Sequence, residues 1–355
     1  MRNRPPHSLC ATWSRGCSVV AALLLLSAVF GLQAQTLSSV PDARYARLAR
    51  GVNLSGWFQF GGYNPVTAKD RDLLKSAGFT SVRLPVAPEN LLPSLATPPQ
   101  IQTTLKNLDS AIDLFVSSGM AVMLCFQADA NATYPALGGA YFPYLLSNPT
   151  GLSELIGLWR TLSQRYGNRD PNLLFFEIMN EPTNEFTQQK WDSMQTQILA
   201  AIRQAAPAHT VLLSPVDWSQ LSGLVQMQPY QDGNVIYVLH YYESHTFTHQ
   251  GASWVGYPLS ALRNIAYPSY LPAVQTAISS SSDAAVKSVL QTYQQQDWQA
   301  AQIDWDLGIA AAWAKANGTR VVINEFGVYR AFAPADSRYL WLHDFRVAAE
   351  KHAIG

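Results

Sequence analysis

The chain is poor in cysteine and in charge, and it has no apolar run long enough to span a bilayer comfortably. Of its three cysteines, Cys10 and Cys17 lie close to the start, and Cys125 stands alone in the remaining sequence. A disulfide framework is therefore excluded, and stability must come from packing. Charged residues make up only 14% of the 355 positions, against 48% apolar ones, which excludes a disordered polyelectrolyte and allows one large core. There is no internal repeat and no proline- or serine-rich linker to a second module. One domain is expected.

The longest apolar stretch, Val19 to Leu32, follows Arg2, Arg4 and Arg15 and ends at the small-residue sequence Leu32-Gln33-Ala34. That order describes a secretory signal peptide over residues 1–34, preferred here over a retained membrane anchor because the stretch is short. The mature domain, residues 35–355, is then expected to be secreted or periplasmic and free of the membrane. Without residues 1–34, twenty-one basic residues face twenty-four acidic ones, a charge of about −3. Nucleic acid is not a partner that this balance favours.

What is present is a rhythm of short apolar runs alternating with amphipathic stretches, the pattern of βα units on a parallel sheet. Seven runs read as strands: Arg50–Leu54, Ser81–Pro85, Ala121–Phe126, Leu173–Asn180, Thr210–Ser214, Val235–His240 and Arg320–Asn324. Helical stretches lie at Ala68–Ala77, Ile101–Ser118, Ser153–Tyr166, Lys190–Ala206 and Trp298–Asn317, with Gly78, Gly119, Gly167 and Gly318 at their ends. Seven strands of this kind predict a (β/α)8 TIM barrel. The chain reaches Gly355 after one more helical stretch, Asp336–His352, so the barrel reads as truncated before its eighth strand. The long connection from Tyr241 to Asp297 is expected to form a wall of the binding cleft.

Two of the runs end on acids. Leu173 to Pro182 (LLFFEIMNEP) delivers Glu181, and Arg320 to Gly327 (RVVINEFG) delivers Glu325. An acid at the end of a buried strand can be partly desolvated and still reach a ligand at the barrel mouth. In a closed barrel the ends of strands four and seven face each other. A carboxyl pair there is what glycoside hydrolysis needs, and a separation of roughly 5–5.5 Å favours the retaining course over the inverting one. Either glutamate alone reads equally well as a capping or ion-paired acid; together with the motifs around them they point to catalysis. Glu177 shares the strand phase of Glu181 and is read as a paired structural acid.

Four motifs occur in order after the second, fourth, sixth and seventh strands: Arg83-Leu84-Pro85, Asn180-Glu181-Pro182, His240-Tyr241-Tyr242 and Glu325-Phe326-Gly327. In these the chain resembles glycoside hydrolase family five, the cellulase family of (β/α)8 retaining glycosidases. The resemblance implies Glu181 as acid/base, Glu325 as nucleophile, Asn180 as partner of the sugar 2-hydroxyl, and Arg83, His240 and Tyr242 around the nucleophile. An Arg guanidinium and a donating phenol both favour an ionised Glu325.

The chain departs from the family twice. Gln127 stands where an Asp-x-His histidine is common, and the tryptophan that the family places after strand eight has no counterpart here. Gln127 can still bond a sugar hydroxyl but carries no charge. Trp57 and Trp218 are the expected stacking platforms.

His245 and His249 have i, i+4 spacing without a third ligand or an HExxH pattern, so no metal and no cofactor are expected. The resemblance implies a monomeric hydrolase of β-linked glucan, endo-β-1,4-glucanase first. Mannan, xyloglucan and β-1,3-glucan remain open, as does an inactive glycan-binding remnant. A barrel hydrolase acting on something other than sugar would leave the paired acids unexplained.

Overall fold

A computed structural model of the chain describes residues 38–59 and 64–355; the expected signal peptide, residues 1–34, lies outside them. Seven strands form one parallel sheet in chain order: β1 Gly51–Asn53, β2 Ser81–Val86, β3 Ala121–Phe126, β4 Leu174–Glu177, β5 Val211–Leu213, β6 Val235–Tyr241 and β7 Val321–Phe326. Among the described residues, eight helices of nine residues or more pack outside it. These are α1 Ala68–Ser76, α2 Pro98–Val116, α3 Pro149–Tyr166, α4 Gln188–Ala205, α5 Pro272–Ser280, α6 Ala284–Gln295, α7 Ala300–Ala316 and α8 Ala335–Lys351.

The helices start where the sequence supplies caps. Thr67 with Asp70 and Thr97 with Gln100 form capping boxes ahead of α1 and α2, and Pro98 occupies the first turn of α2, where its missing N–H costs nothing. Gly78 takes the left-handed turn expected after α1, at φ 88°. Gly167 does not; its φ is −61°. It is small for another reason, since a Cβ there would stand 2.5 Å from the Ala205 carbonyl oxygen. The glycine lets the ends of α3 and α4 approach.

Strand alternation sorts the side chains into two layers. Val82, Leu84, Val122, Leu124 and Leu174 face the helices and join the large outer core. Ala121, Met123, Phe175, Leu212, Ile236, Val238 and Val322 fill the barrel, together with Val40 and Leu48 from the segment before β1. By the same phase Arg83, Glu177 and His240 point inward at the carboxyl end of the barrel.

The barrel is nearly closed. β1 and β7 meet through Asn53 Nδ2, which donates to the Asn324 carbonyl oxygen at 3.1 Å. The Ile323 amide of β7 donates to the Gly355 carbonyl oxygen at 2.8 Å. Among the described residues no eighth strand lies between them.

β7 is not regular. Its pairing with β6 runs Leu239 to Ile323 and then His240 to Glu325, so Asn324 is an extra residue in the ladder. Such a bulge re-aims side chains. Here Asn324 bonds Glu177 and Glu325 bonds Arg83, two consecutive residues facing the interior, while Phe326 turns outward and stacks on Phe345 at 4.1 Å.

The connection between β6 and β7 is more ordered than its serine-rich composition suggests. It contains the short helix His245–Thr248 and then α5 and α6. Its first part, through Trp254, lines the cleft as expected. No described helix is long and apolar enough to cross a membrane.

Candidate active site

Arg83 organises the site. It is 1% exposed, and its guanidinium makes six hydrogen bonds to five residues. Nε and NH2 donate to Glu177 Oε2 and Oε1, both at 2.7 Å; NH1 donates to Glu325 Oε2 at 2.8 Å and to Asn53 Oδ1 at 3.0 Å. NH2 also donates to Asn180 Oδ1 at 2.6 Å and to Cys125 Sγ at 3.2 Å. A buried guanidinium needs such satisfaction, and the bidentate geometry is one a lysine cannot reproduce. Glu177, fully buried, takes a third bond from Asn324 Nδ2 at 2.8 Å. It is a paired structural acid.

Glu325 receives two donors, Arg83 NH1 on one oxygen and the Tyr242 hydroxyl at 2.9 Å on the other. Burial works against its charge, but His240, Arg83 and Tyr242 outweigh burial and hold the carboxyl below its ordinary value. Burial and the neighbouring Glu325 and Glu181 push the Tyr242 phenol far up, so it keeps the proton it donates.

Glu181 lies four residues past the end of β4, beyond the strand rather than at its tip, and adopts a left-handed φ of 44°. That conformation is costly for a side chain with a Cβ and recurs at functional sites. Its Oε1 is 2.9 Å from His240 Nδ1, and its Oε2 is 3.4 Å from Asn180 Nδ2. His240 was expected beside Glu325, but its Nδ1 is closer to Glu181 and 3.9 Å from Glu325. Burial lowers the His240 imidazole, yet Glu325 and Glu181 more than compensate, and its pKa is raised.

One oxygen from each glutamate and Nδ1 of His240 all lie within 4.8 Å of one another. Those atoms could ligate a divalent cation, but Arg83 already supplies a positive charge to Glu325 at 2.8 Å.

The remaining expected residues divide. Asn180 is 2% exposed, and Arg83 holds its Oδ1, which turns Nδ2 toward the cleft. Gln127 lines the cleft, and its Oε1 is buried without a hydrogen-bond partner in the protein. Trp218 lines the cleft in a run of three left-handed residues, Asp217 at φ 61°, Trp218 at 54° and Ser219 at 59°. The run is tied down by Trp218 N to the Pro182 carbonyl and by His240 N to the Ser219 carbonyl.

Trp57 is a correction. It is 3% exposed, stacked on Phe58 with ring centroids 5.3 Å apart and edge-on to Phe115, and it offers no face to a sugar. The chain turns inward after β1, and the indole joins the core.

His245 and His249 have ring centroids 4.7 Å apart at the cleft wall. Burial, with His245 alongside, brings the His249 imidazole down to about 4.

Sequence reasoning passed over Glu89 and Asp129, which also line the cleft. Each lies three residues beyond the end of its strand, β2 and β3 respectively. The spacing, close to that of Glu181 after β4, was the available signal.

Residues 42–352 match the family model for cellulase, glycosyl hydrolase family 5. The chain belongs to that family. Similar proteins include Endoglucanase 3 of Fibrobacter succinogenes, 28% identical over 313 residues that make up 84% of this chain and 47% of that protein. Cellodextrinase A of Ruminococcus flavefaciens is 24% identical over 86% of this chain and 83% of its own length. This family 5 chain thus spans about half of the first relative and most of the second. Among solved structures, Thermotoga maritima Cel5A in complex with cellobiose superposes with a TM-score of 0.69 at 24% identity, covering 88% of this chain and 89% of that one. At that identity the likeness speaks for the barrel fold alone.

Proposed function

We propose that the chain is a secreted retaining endo-β-1,4-glucanase in which Glu325 is the nucleophile and Glu181 the acid/base. The observation that carries this reading is the carboxyl pair: oxygens within 4.8 Å of each other, in unlike surroundings. That spacing fits direct attack by one carboxylate better than an intervening water. Glu325, bonded by Arg83 and Tyr242, is the one held ionised.

In the first step Glu325 attacks the anomeric carbon as its bond to the leaving oxygen breaks, and Glu181 gives that oxygen a proton. The glycosyl ester formed on Glu325 cancels a negative charge beside Glu181. The Glu181 carboxylate then accepts a proton from water, whose oxygen attacks the same carbon and frees Glu325. In this reading Asn180 Nδ2 bonds the 2-hydroxyl. Trp218 offers a stacking face. The cleft, about 1780 Å³, exceeds the roughly 300–1,000 Å³ of small-ligand pockets and suits several sugar units of a polymer. Export follows from the sequence of residues 1–34.

Hydrolysis of cellotetraose, followed by NMR of the newly formed anomeric centre, tests both the activity and its stereochemistry. The β-anomer should appear first, and Glu325→Ala should lower kcat by roughly four orders of magnitude or more. Initial release of the α-anomer would exclude the retaining assignment. A folded protein without activity would favour a glycan-binding remnant.

A further inference from the structure

Asn53 ends β1 and stands opposite Arg83 in the β1–β2 register, so the two side chains share the inward face. Its carboxamide makes two contacts of opposite kind. Oδ1 accepts from Arg83 NH1 at 3.0 Å, and Nδ2 donates to the Asn324 carbonyl oxygen at 3.1 Å. A guanidinium only donates and a carbonyl only accepts, so this orientation of the amide is the one that satisfies both neighbours.

Those two bonds close a ring. Asn324 Nδ2 donates to Glu177 Oε2 at 2.8 Å, and the same oxygen takes the Arg83 Nε hydrogen at 2.7 Å. Arg83, Asn53, Asn324 and Glu177 thereby tie together β2, β1, β7 and β4. Glu325 hangs on the ring at two points. Its backbone follows Asn324, the extra residue of the β6–β7 ladder, and its Oε2 takes an NH1 hydrogen at 2.8 Å. NH1 carries two hydrogens, one for Asn53 and one for Glu325, so holding the first aims the second. A bulge leaves its extra residue outside the regular ladder, and the Asn53 amide gives that residue's carbonyl a partner.

We propose that Asn53 is a positioning residue for Glu325: by closing this ring it fixes both the backbone that carries the carboxylate and the Arg83 nitrogen that the carboxylate bonds. The kinetic consequence rests on the reading of Glu325 as nucleophile. The placement itself does not.

The test uses two substitutions in the full chain. Asn53→Ala removes both contacts. On 2,4-dinitrophenyl β-cellobioside, whose leaving group departs without a proton, kcat/KM reports attack by Glu325 rather than proton donation by Glu181. It should fall about a hundredfold, the cost of roughly 1 Å of misplacement. On cellotetraose kcat should fall similarly while KM stays within about twofold. Asn53→Asp keeps an acceptor for Arg83 but has no donor for the Asn324 carbonyl. Glu325 faces Arg83, Tyr242, His240 and Glu181, and one more carboxylate beside Arg83 disfavours its charge. The Glu325 titration midpoint, followed by carbon NMR of the labelled carboxyl, should therefore lie at higher pH than in the unaltered chain.

A folded Asn53→Ala protein with unchanged kcat/KM overturns the proposal. So does a loss on cellotetraose that is absent on the dinitrophenyl glycoside, which would move the effect to Glu181, or a rise in KM alone, which would make Asn53 a sugar ligand. An unmoved Glu325 midpoint in Asn53→Asp overturns it as well, and that measurement decides where Asn53→Ala shows no cooperative unfolding transition. If the unaltered chain hydrolyses neither glycoside, the catalytic reading fails by itself, and the midpoint still judges the placement.

Discussion

Replacing Glu177 by glutamine tests the idea that a buried acid far from any sugar governs the nucleophile. Glu177 is fully buried and accepts three hydrogen bonds, two from Arg83 at 2.7 Å and one from Asn324 at 2.8 Å. An amide there has one oxygen instead of two, so its NH2 must face a donor, and the charge that balances Arg83 is gone. Removing one partner of a buried pair costs about 3–5 kcal/mol, because the other charge stays behind. At roughly 2 °C per kcal/mol for a domain of this size, the melting temperature should fall roughly 6–10 °C. Activity should change in a direction that lost stability alone does not dictate. With Glu177 neutral, Arg83 has only Glu325 as an anionic partner, and the Glu325 carboxyl, already held below its ordinary value, should sink further. Activity is lost as pH falls through that value, so the acid limb of kcat/KM should move to lower pH. A more stabilised carboxylate is a weaker nucleophile, and kcat should drop more than KM changes. Thermal unfolding and a pH–rate profile on cellotetraose measure both. An unmoved acid limb beside a lowered melting temperature would refute the electrostatic link. An unmoved melting temperature would refute the buried pair itself.

Two other outcomes follow from buried rings. His209 is fully buried, stacked on Phe176, with neither nitrogen partnered, and burial, with Arg44 and Arg203 nearby, brings it from 6.5 down to about 4. The unfolded chain binds a proton below 6.5 that the folded one refuses, so this residue's contribution is complete above pH 6.5 and is lost as pH falls toward 4, by about 3 kcal/mol. His249 is lowered into the same region, so the difference between the native protein and His209→Leu in denaturant unfolding isolates the effect: their stability curves should diverge by about that amount between pH 7.5 and 4, and parallel curves would sink the idea. Trp57→Ala should cost about 3–5 kcal/mol in the same unfolding assay, whereas Trp218→Ala should raise KM for cellotetraose and leave the unfolding midpoint nearly in place; the opposite pattern would return Trp57 to the cleft.

Much of this architecture is readable from the chain, and for identifiable reasons. Parallel strands buried on both faces leave unbroken apolar runs such as AVMLCF, and capped amphipathic helices bracket them. All seven strands therefore lie where those runs predict. The acids are legible because Glu325 ends such a run and Glu181 follows one closely. What is hidden depends on backbone geometry. The bulge at Asn324 has no signature in composition, yet in a regular strand Asn324 and Glu325 could not both face inward. The burial of Trp57 hinges on how the chain turns after β1, and an indole suits a core as well as a sugar. α5 and α6 escape notice because the serine patch at Ser279–Ser282, which runs from the last turn of α5 into the gap before α6, resembles a loop.

The irregularity in β7 has a consequence for how this site can fail. Excising Asn324 would restore perfect alternation to the strand and slide Glu325 into the vacated slot opposite Glu177, acid against acid beside one guanidinium. The seven strands would still pair in order and still stack their apolar layers. What would vanish is the reactive carboxylate at the mouth, so a single-codon deletion separates a sound scaffold from a working one.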